Sequence, residues 1–375
     1  MFQYWNDDTP SARVFSYHFS MYLSDCLHGA GDIHEMFRVA RNIRTGNMED
    51  WHVEFARMAE RIESIADEAH NSGHEATASE SYFRAFMYYR LAELRLASTD
   101  ERKLPTYRKS ISCFERGIAL STHPHEAVKI PYDDHQLAGY FFAPSARITK
   151  TPPPCVIFLA GADQLPEGNL FRGVQYVTAR GSACLVFNGP GQGSSLRLLG
   201  LPTIPDYERP VTAAVDYLMT RKDIDHDRIG LLGISMAGYY APRAACFEHR
   251  IRALVVWSAL YDVLHELYET HPPLQTHLQW IIGAKSDAEA RKKYEPFTLE
   301  GLVPQIRCPT LVTHGKRDHM VPVASALRLY DELSVKDKQL HIFTEEEGGA
   351  THASVDAYSY VVPYQVDWML DRLLR

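Results

Sequence analysis

No apolar run in the 375 residues reaches the roughly 18 needed for a transmembrane helix. Basic charge is in deficit, with 39 Lys and Arg against 47 Asp and Glu, a net charge of −8. That balance disfavours a phosphate-backbone partner, so neither nucleic acid nor membrane is an expected partner. The six cysteines (Cys26, Cys113, Cys155, Cys184, Cys246 and Cys308) form no C-x-x-C pair and no Cys/His cluster with metal spacing. Free buried thiols are expected instead of disulfides or zinc. Met1 to Asp8 lack the basic start and apolar stretch of a secretory signal, which makes a reducing, cytoplasmic location the expectation. Asn188-Gly-Pro-Gly-Gln-Gly193 has G-x-G spacing but lacks the full dinucleotide fingerprint and its acidic residue. No cofactor and no metal is expected.

Two patterns divide the chain. Residues 1 to about 125 read as all helical. Trp51, Phe55, Met58, Ile62, Ile65 and Ala69 recur at helical spacing, and Tyr82, Phe83, Phe86, Tyr89, Leu91 and Leu94 follow Ser79. A third segment runs from Thr106 to Leu120, with breakers at Gly29 to Asp32, Asn71 to Gly73 and Pro105. No fixed repeat period is evident, so a helical cap or dimerisation domain is the expectation for 1–125.

From 126 onward, strand-like runs alternate with helical stretches. The runs are Leu137–Phe142, Val156–Leu159, Ala183–Phe187, Ile229–Leu232, Ala253–Trp257, Thr310–Thr313 and Gln339–Phe343. Phe171–Arg180, Tyr207–Arg221 and Ala324–Leu333 lie between them as helices. This alternation predicts a mostly parallel sheet covered on both faces. Thr151 to Pro154 is expected to be a stiff, exposed connector. About fifty residues, 258–307, interrupt the rhythm and are expected to form a helical lid insertion.

The most informative segment is Ile229-Gly-Leu-Leu-Gly-Ile-Ser-Met-Ala-Gly-Tyr-Tyr240. An apolar strand enters a serine flanked by small residues, and a helix pattern follows. This is the form of a nucleophile elbow, which lifts Ser235 above the sheet edge. The match to G-x-S-x-G is imperfect: Ala237 holds the last small position and Gly238 comes one later.

Ligands bind beyond the carboxyl ends of strands in open α/β sheets. Asp318 follows the run Thr310–Thr313, and His352 follows Gln339–Phe343 across a glycine-rich loop. Each alone reads equally as a turn or helix-start residue. Together with Ser235 they fall in the order Ser, Asp, His, each past its own strand, which is the order of the α/β-hydrolase triad. Ser235 is the expected nucleophile, His352 its base and later acid, and Asp318 the group that orients the imidazole. The expected oxyanion donors are the N–H groups of Met236 and of Ala162, the latter in the loop after Val156–Leu159.

Four motifs carry a resemblance: Asn188-Gly-Pro-Gly-Gln-Gly193, Gly233-Ile-Ser-Met-Ala-Gly238, His314-Gly-Lys-Arg-Asp318 and Gly349-Ala-Thr-His352. With Ser81-Tyr-Phe-Arg-Ala-Phe-Met-Tyr-Tyr-Arg90, they make the chain similar to α/β-hydrolases of the 2,6-dihydroxypseudooxynicotine hydrolase type. It also resembles the fungal hydrolases that shorten polyketide chains in pigment pathways. Asn188 replaces the Asp that usually opens the turn, Ala237 replaces a common Gly, and Ala160 precedes Gly161 where paired glycines are frequent. The resemblance implies a homodimer formed through the helical part. It also implies a carboxylate assisting carbon–carbon cleavage, for which Glu266 is the candidate; a solvated lid residue is the simpler reading of that position.

The expected function is serine-dependent hydrolysis of an apolar, polyketide-like or acylated small molecule, by cleavage of a C–C bond beside a ketone in a 1,3-dicarbonyl. An ester, lactone or thioester hydrolase is the close alternative, as is an acyl-transferring, chain-joining enzyme. A hydrolase fold that only binds is a further alternative. Trp51, Tyr82, Phe83, Phe86, Tyr88 and Tyr89 either line a substrate cavity or, more simply, pack a core.

Overall fold

A computed structural model describes residues 4–5, 10–145 and 151–375. Apart from Tyr4 and Trp5, the Met1 to Asp8 segment lies outside the described residues. The chain forms two compact units, Met1–His123 and Pro124–Arg375.

In the described part of the first unit every regular element is a helix: α1 (Pro10–Cys26), α2 (Ile33–Ala40), α3 (Met48–Asn71), α4 (Glu75–Leu94) and α5 (Lys103–Leu120). Asp32 and Asn47 cap α2 and α3, each side chain accepting the N–H of a first-turn residue at 2.9 Å. Pro105, expected in a connector, lies in the first turn of α5, where a missing N–H costs nothing. Ile65, counted in the apolar stripe of α3, is 37% exposed.

Helix α4 is enclosed over nearly its whole length, from Ala78 to Leu94. Its aromatic side chains therefore pack the interior of this unit, and their polar ends are satisfied there. Tyr82, Tyr88 and Tyr89 donate to Asp67, Glu35 and Glu63 at 2.7, 2.8 and 2.6 Å. Trp51 Nε1 donates to the Leu91 carbonyl at 2.8 Å. A buried cluster closes the end of α4, with Glu93 accepting from Arg90 at 2.5 Å and from Lys103 at 2.8 Å.

Among the described residues the second unit is built on eight strands: β1 (His125–Tyr132), β2 (His135–Phe142), β3 (Cys155–Leu159), β4 (Ala183–Phe187), β5 (Ile229–Ile234), β6 (Ile251–Trp257), β7 (Thr310–Gly315) and β8 (Lys338–Phe343). Their order is β1-β2-β4-β3-β5-β6-β7-β8. Strands β1 and β2 pair antiparallel, as do β2 and β4, and all other pairs are parallel. The sequence pattern misses β1 because Glu126, Ala127, Lys129 and Pro131 are exposed, and only three of its eight residues are buried.

The inner strands β3, β4, β5 and β7 are buried at every residue. That is why they read as continuous apolar runs. Helices α6 (Gln175–Thr178), α7 (Gly193–Arg197), α8 (Glu208–Met219), α9 (Ala237–Ala245), α12 (Val323–Glu332) and α13 (Tyr358–Leu373) connect or cover the strands. The expected helix Phe171–Arg180 is a π-helical turn at Leu170–Val174 running into the short α6.

The expected connector Thr151 to Pro154 is only half exposed. Thr151 and Pro152 face solvent, whereas Pro153 and Pro154 are buried and accept backbone N–H groups from Asp225 at 2.8 Å and Ala183 at 2.9 Å. The 258–307 insertion holds α10 (Pro272–Ile281) and α11 (Asp287–Tyr294), pinned at its base by a bridge between Asp262 and Thr298. All six cysteines are buried and unpaired. No helix among the described residues is long and apolar enough to cross a membrane.

The strand order reverses around β3, because β4 lies on one side of it and β5 on the other. The crevice at the carboxyl ends of β3 and β5 is therefore the topological switch point, where ligands bind in such sheets.

Candidate active site

Ser235 follows β5 directly and stands at φ 61°, in the left-handed region that a serine occupies at a cost. The surrounding backbone holds it there. Its N–H donates to the Trp257 carbonyl at 2.9 Å, and its carbonyl accepts the Gly238 N–H at 2.6 Å. The small residues around it have separate jobs. A Cβ on Gly233 would lie 2.2 Å from the Ala237 carbonyl oxygen, and one on Gly238 would lie 2.2 Å from that of Ser258. Helix α9 thus crosses β5 at Gly233 and the β6 loop at Gly238, and Ala237 between them needs no glycine. The apparent irregularity of the motif reflects where the close approaches fall.

Asp318 and His352 meet Ser235 from β7 and β8. The two loops are joined, with Arg317 N–H donating to the Ala350 carbonyl and Lys316 N–H to that of Phe343, both at 2.8 Å. A Cβ on Gly315 would lie 2.3 Å from the Ala350 oxygen, so only glycine permits this approach. Asp318 Oδ2 accepts from His352 Nδ1 at 2.8 Å, and Ser235 Oγ lies 2.8 Å from His352 Nε2.

Charge decides the proton positions. Asp318 is fully buried, which on its own raises a carboxyl pKa. The facing His352 and His314 and the Val321 N–H outweigh burial and hold Asp318 down at about 2. An ionised carboxylate can only accept, so His352 carries its proton on Nδ1. That leaves Nε2 as acceptor for the serine hydroxyl. Asp318 Oδ1 is occupied by the N–H groups of Met320 at 2.8 Å and Val321 at 2.9 Å. Burial pushes the His314 pKa down, and its Nε2–H donates to the Val321 carbonyl at 3.0 Å. Through that bond it braces the Asp318 turn.

The His352 loop is held by residues that sequence reasoning passed over. One carboxylate, Asp356, gathers three successive N–H groups: Gly349 at 2.9 Å, Ala350 at 3.1 Å and Thr351 at 3.1 Å. It also accepts from the Thr351 hydroxyl at 2.5 Å. Beyond His352, Ala353 N–H donates to Ser258 Oγ at 3.0 Å, and Trp257 Nε1 donates to Ser354 Oγ at 3.3 Å. An Asp shortly after a Gly-Gly loop was the only signal available for Asp356; Ser258 left none.

Ala162 and Met236 stand on neighbouring strands' ends, since Leu159 of β3 is in register with Gly233 of β5. Gly161 lies against the serine, where a Cβ would come within 3.0 Å of Ser235 Cβ. Gln192 Nε2 donates to the Gly161 carbonyl at 3.0 Å and to that of Ala160 at 2.5 Å. In a trans peptide C=O and N–H point oppositely, so this anchor aims the Ala162 N–H away from Gln192. Neither the Ala162 N–H nor the Met236 N–H has an acceptor among the described residues.

The turn after β4 also explains its departure at Asn188. Its Oδ1 accepts the Ser194 N–H at 3.0 Å, while its Nδ2 donates to buried Glu167 at 3.0 Å and to the Ala138 carbonyl at 3.2 Å. An aspartate could do the first and would repel Glu167. Glu266 Oε2 accepts the N–H groups of Tyr261 at 2.8 Å and Asp262 at 3.1 Å, and burial raises its pKa. It is a half-buried brace for the start of the insertion, and no hydrogen bond among the described residues joins it to the Ser235–His352–Asp318 line. No group of three metal-binding side chains occurs among the described residues.

The prolyl oligopeptidase family model matches residues 170–373, more than half of the chain. The chain belongs to the prolyl oligopeptidase family. Among curated relatives of this family member, the α/β-hydrolase psoB of Aspergillus fumigatus is 28% identical, with 96% of this chain and 93% of the relative covered. The 20-hydroxy-prefusarin hydrolase FUS2 of Gibberella moniliformis is 27% identical over 96% of each chain. The solved 2,6-dihydroxy-pseudo-oxynicotine hydrolase superposes with a TM-score of 0.81 at 24% identity, covering 94% of this chain and 95% of that one. The fold of this prolyl oligopeptidase family member is therefore that of the α/β-hydrolases, and its relatives match across both units.

Proposed function

We propose that this protein is a serine hydrolase of an apolar, polyketide-like small molecule, cleaving a C–C bond beside a ketone in a 1,3-dicarbonyl. One observation carries the reading: the continuous line Ser235–His352–Asp318, with 2.8 Å at each step, beside two backbone N–H groups that lack acceptors among the described residues. Ser235 Oγ attacks one carbonyl carbon as His352 Nε2 takes its proton. The oxyanion lies between the N–H groups of Ala162 and Met236. The intermediate collapses by breaking the C–C bond, and the electron pair passes into the second carbonyl as an enolate. His352 returns its proton to the enolate carbon and then activates the water that releases the acyl group from Ser235. Because Glu266 is engaged as a backbone brace, we assign proton delivery to His352 alone.

The names of FUS2 and of the pseudo-oxynicotine hydrolase support small organic molecules as substrates for this chain. The described residues ahead of Pro124 are helical, with no sheet blades of a peptide-gating kind. Incubation with aryl β-diketones and with matched aryl esters, followed by mass identification of products, tests the reading. Paired acid and ketone products from the diketone are expected, and turnover of esters alone would favour the ester hydrolase. Ser235→Ala is expected to abolish both turnover and fluorophosphonate labelling. Unchanged turnover in that variant would overturn the serine mechanism.

A further inference from the structure

We propose that the Asp163–Arg197 ion pair, with His277 of α10 as third member, is the positioning device of the oxyanion loop. The proposal rests on the serine hydrolase reading above and adds to it how the Ala162 donor is held and what governs it. Asp163 directly follows Ala162 and stands at φ 46°, a strained conformation for an aspartate. Its side chain over-determines that conformation. Both carboxylate oxygens engage the guanidinium of Arg197, Oδ2 to Nη2 at 2.8 Å and Oδ1 to Nη1, with the side chains 0% and 2% exposed. A buried fork is stiff, because neither charge can move without stranding the other.

Arg197 ends α7, whose start is fixed by Asn188 Oδ1 on the Ser194 N–H. The loop after β3 is thereby tied to the loop after β4 through two charges. The third contact comes from the insertion. His277 Nε2 lies 3.2 Å from Asp163 Oδ2, and the ring of Trp280, nearly one helical turn on, has the Arg197 Cζ 5.0 Å from its centre. Both residues belong to α10, so the insertion is seated on the charge pair that holds the oxyanion donor. Seating α10 excludes water from the fork and strengthens it. Lifting α10 admits water and loosens the Ala162 peptide. Enclosure of a substrate and readiness of the oxyanion site are in this way one event.

The test uses the full chain and two variants. Arg197→Lys keeps the charge and loses the fork; His277→Ala keeps the pair and removes one of its two ties to α10, leaving Trp280. With an aryl ester, Arg197→Lys is expected to lower kcat by about 10–100-fold with KM within about twofold. Affinity for an alkyl trifluoromethyl ketone, whose Ser235 hemiketal carries an oxyanion, should weaken by a matching factor. The pH midpoint of kcat/KM should stay that of the parent, since Asp318 and His352 are untouched. His277→Ala should show the same pattern at about three- to tenfold.

A folded Arg197→Lys with parental kcat and ketone affinity overturns the proposal, as does a fall in kcat without loss of ketone affinity. If Arg197→Lys does not fold, His277→Ala decides, and unchanged kcat and ketone affinity there overturn it. Ester turnover surviving Ser235→Ala overturns the serine reading and this proposal together. An inactive Ser235→Ala beside an unaffected Arg197→Lys overturns the positioning role alone.

Discussion

Single residues in this site are held by charge and by backbone N–H donors. Asp318 is ionised because the imidazoles and N–H groups around it outweigh its burial. Asp318→Asn should lower kcat by about 10³–10⁴-fold with little change in KM, since it permits the wrong imidazole tautomer; steady-state kinetics on one ester suffice to check this. A carboxyl held below its ordinary value stabilises the native state above that value and loses the contribution as pH falls through the lowered one. For Asp318 the window runs from about pH 4 down to about pH 2. Urea unfolding should show the stability gap between parent and Asp318→Asn shrinking across that window. Asp356→Ala strands three N–H groups of the His352 loop. We expect kcat to fall by about 10–100-fold through misplacement of the imidazole, and thermal unfolding to occur at lower temperature.

Elements meet here at glycines. Helix α9 can lie against β5 and the β6 loop only where Gly233 and Gly238 let backbone touch backbone. Gly238→Ala should destabilise by about 1–3 kcal/mol or more, because the Ser258 carbonyl it would strike belongs to the main chain and cannot rotate away. Ala237→Gly should cost less, through backbone entropy alone, about 0.5–1 kcal/mol in a helix. Comparing urea midpoints of the two variants separates a contact from a motif letter. The inner strands were legible in the sequence because burial on both faces leaves continuous apolar runs. Strand β1, half exposed and carrying Glu126, Lys129 and Pro131, was not. Asn188 shows the converse: its difference from the usual Asp was visible, but its cause, Glu167 some twenty residues earlier, required the fold.

At the scale of the molecule, each unit carries its own core, and relatives such as psoB match along both. The aromatic residues of α3 and α4 fill the interior of the helical unit, with the tyrosine hydroxyls on carboxylates. Tyr88→Phe, which takes a donor from half-buried Glu35 and an acceptor from the Asp32 N–H, should destabilise by about 1–3 kcal/mol, read by the circular dichroism melt.

The amino-acid sequence alone determined the succession of the inner strands, the serine elbow and the Ser, Asp, His order. Those features are local, written in apolar periodicity and in residues at strand ends. Only tertiary structure decided which carboxylate serves which task. Asp318 meets an imidazole, Asp356 gathers N–H groups, Asp163 takes an arginine and Glu266 braces its own loop. Four chemically similar groups differ only in what the fold carries to within 3 Å or so of them, and no pattern along the chain records that distance.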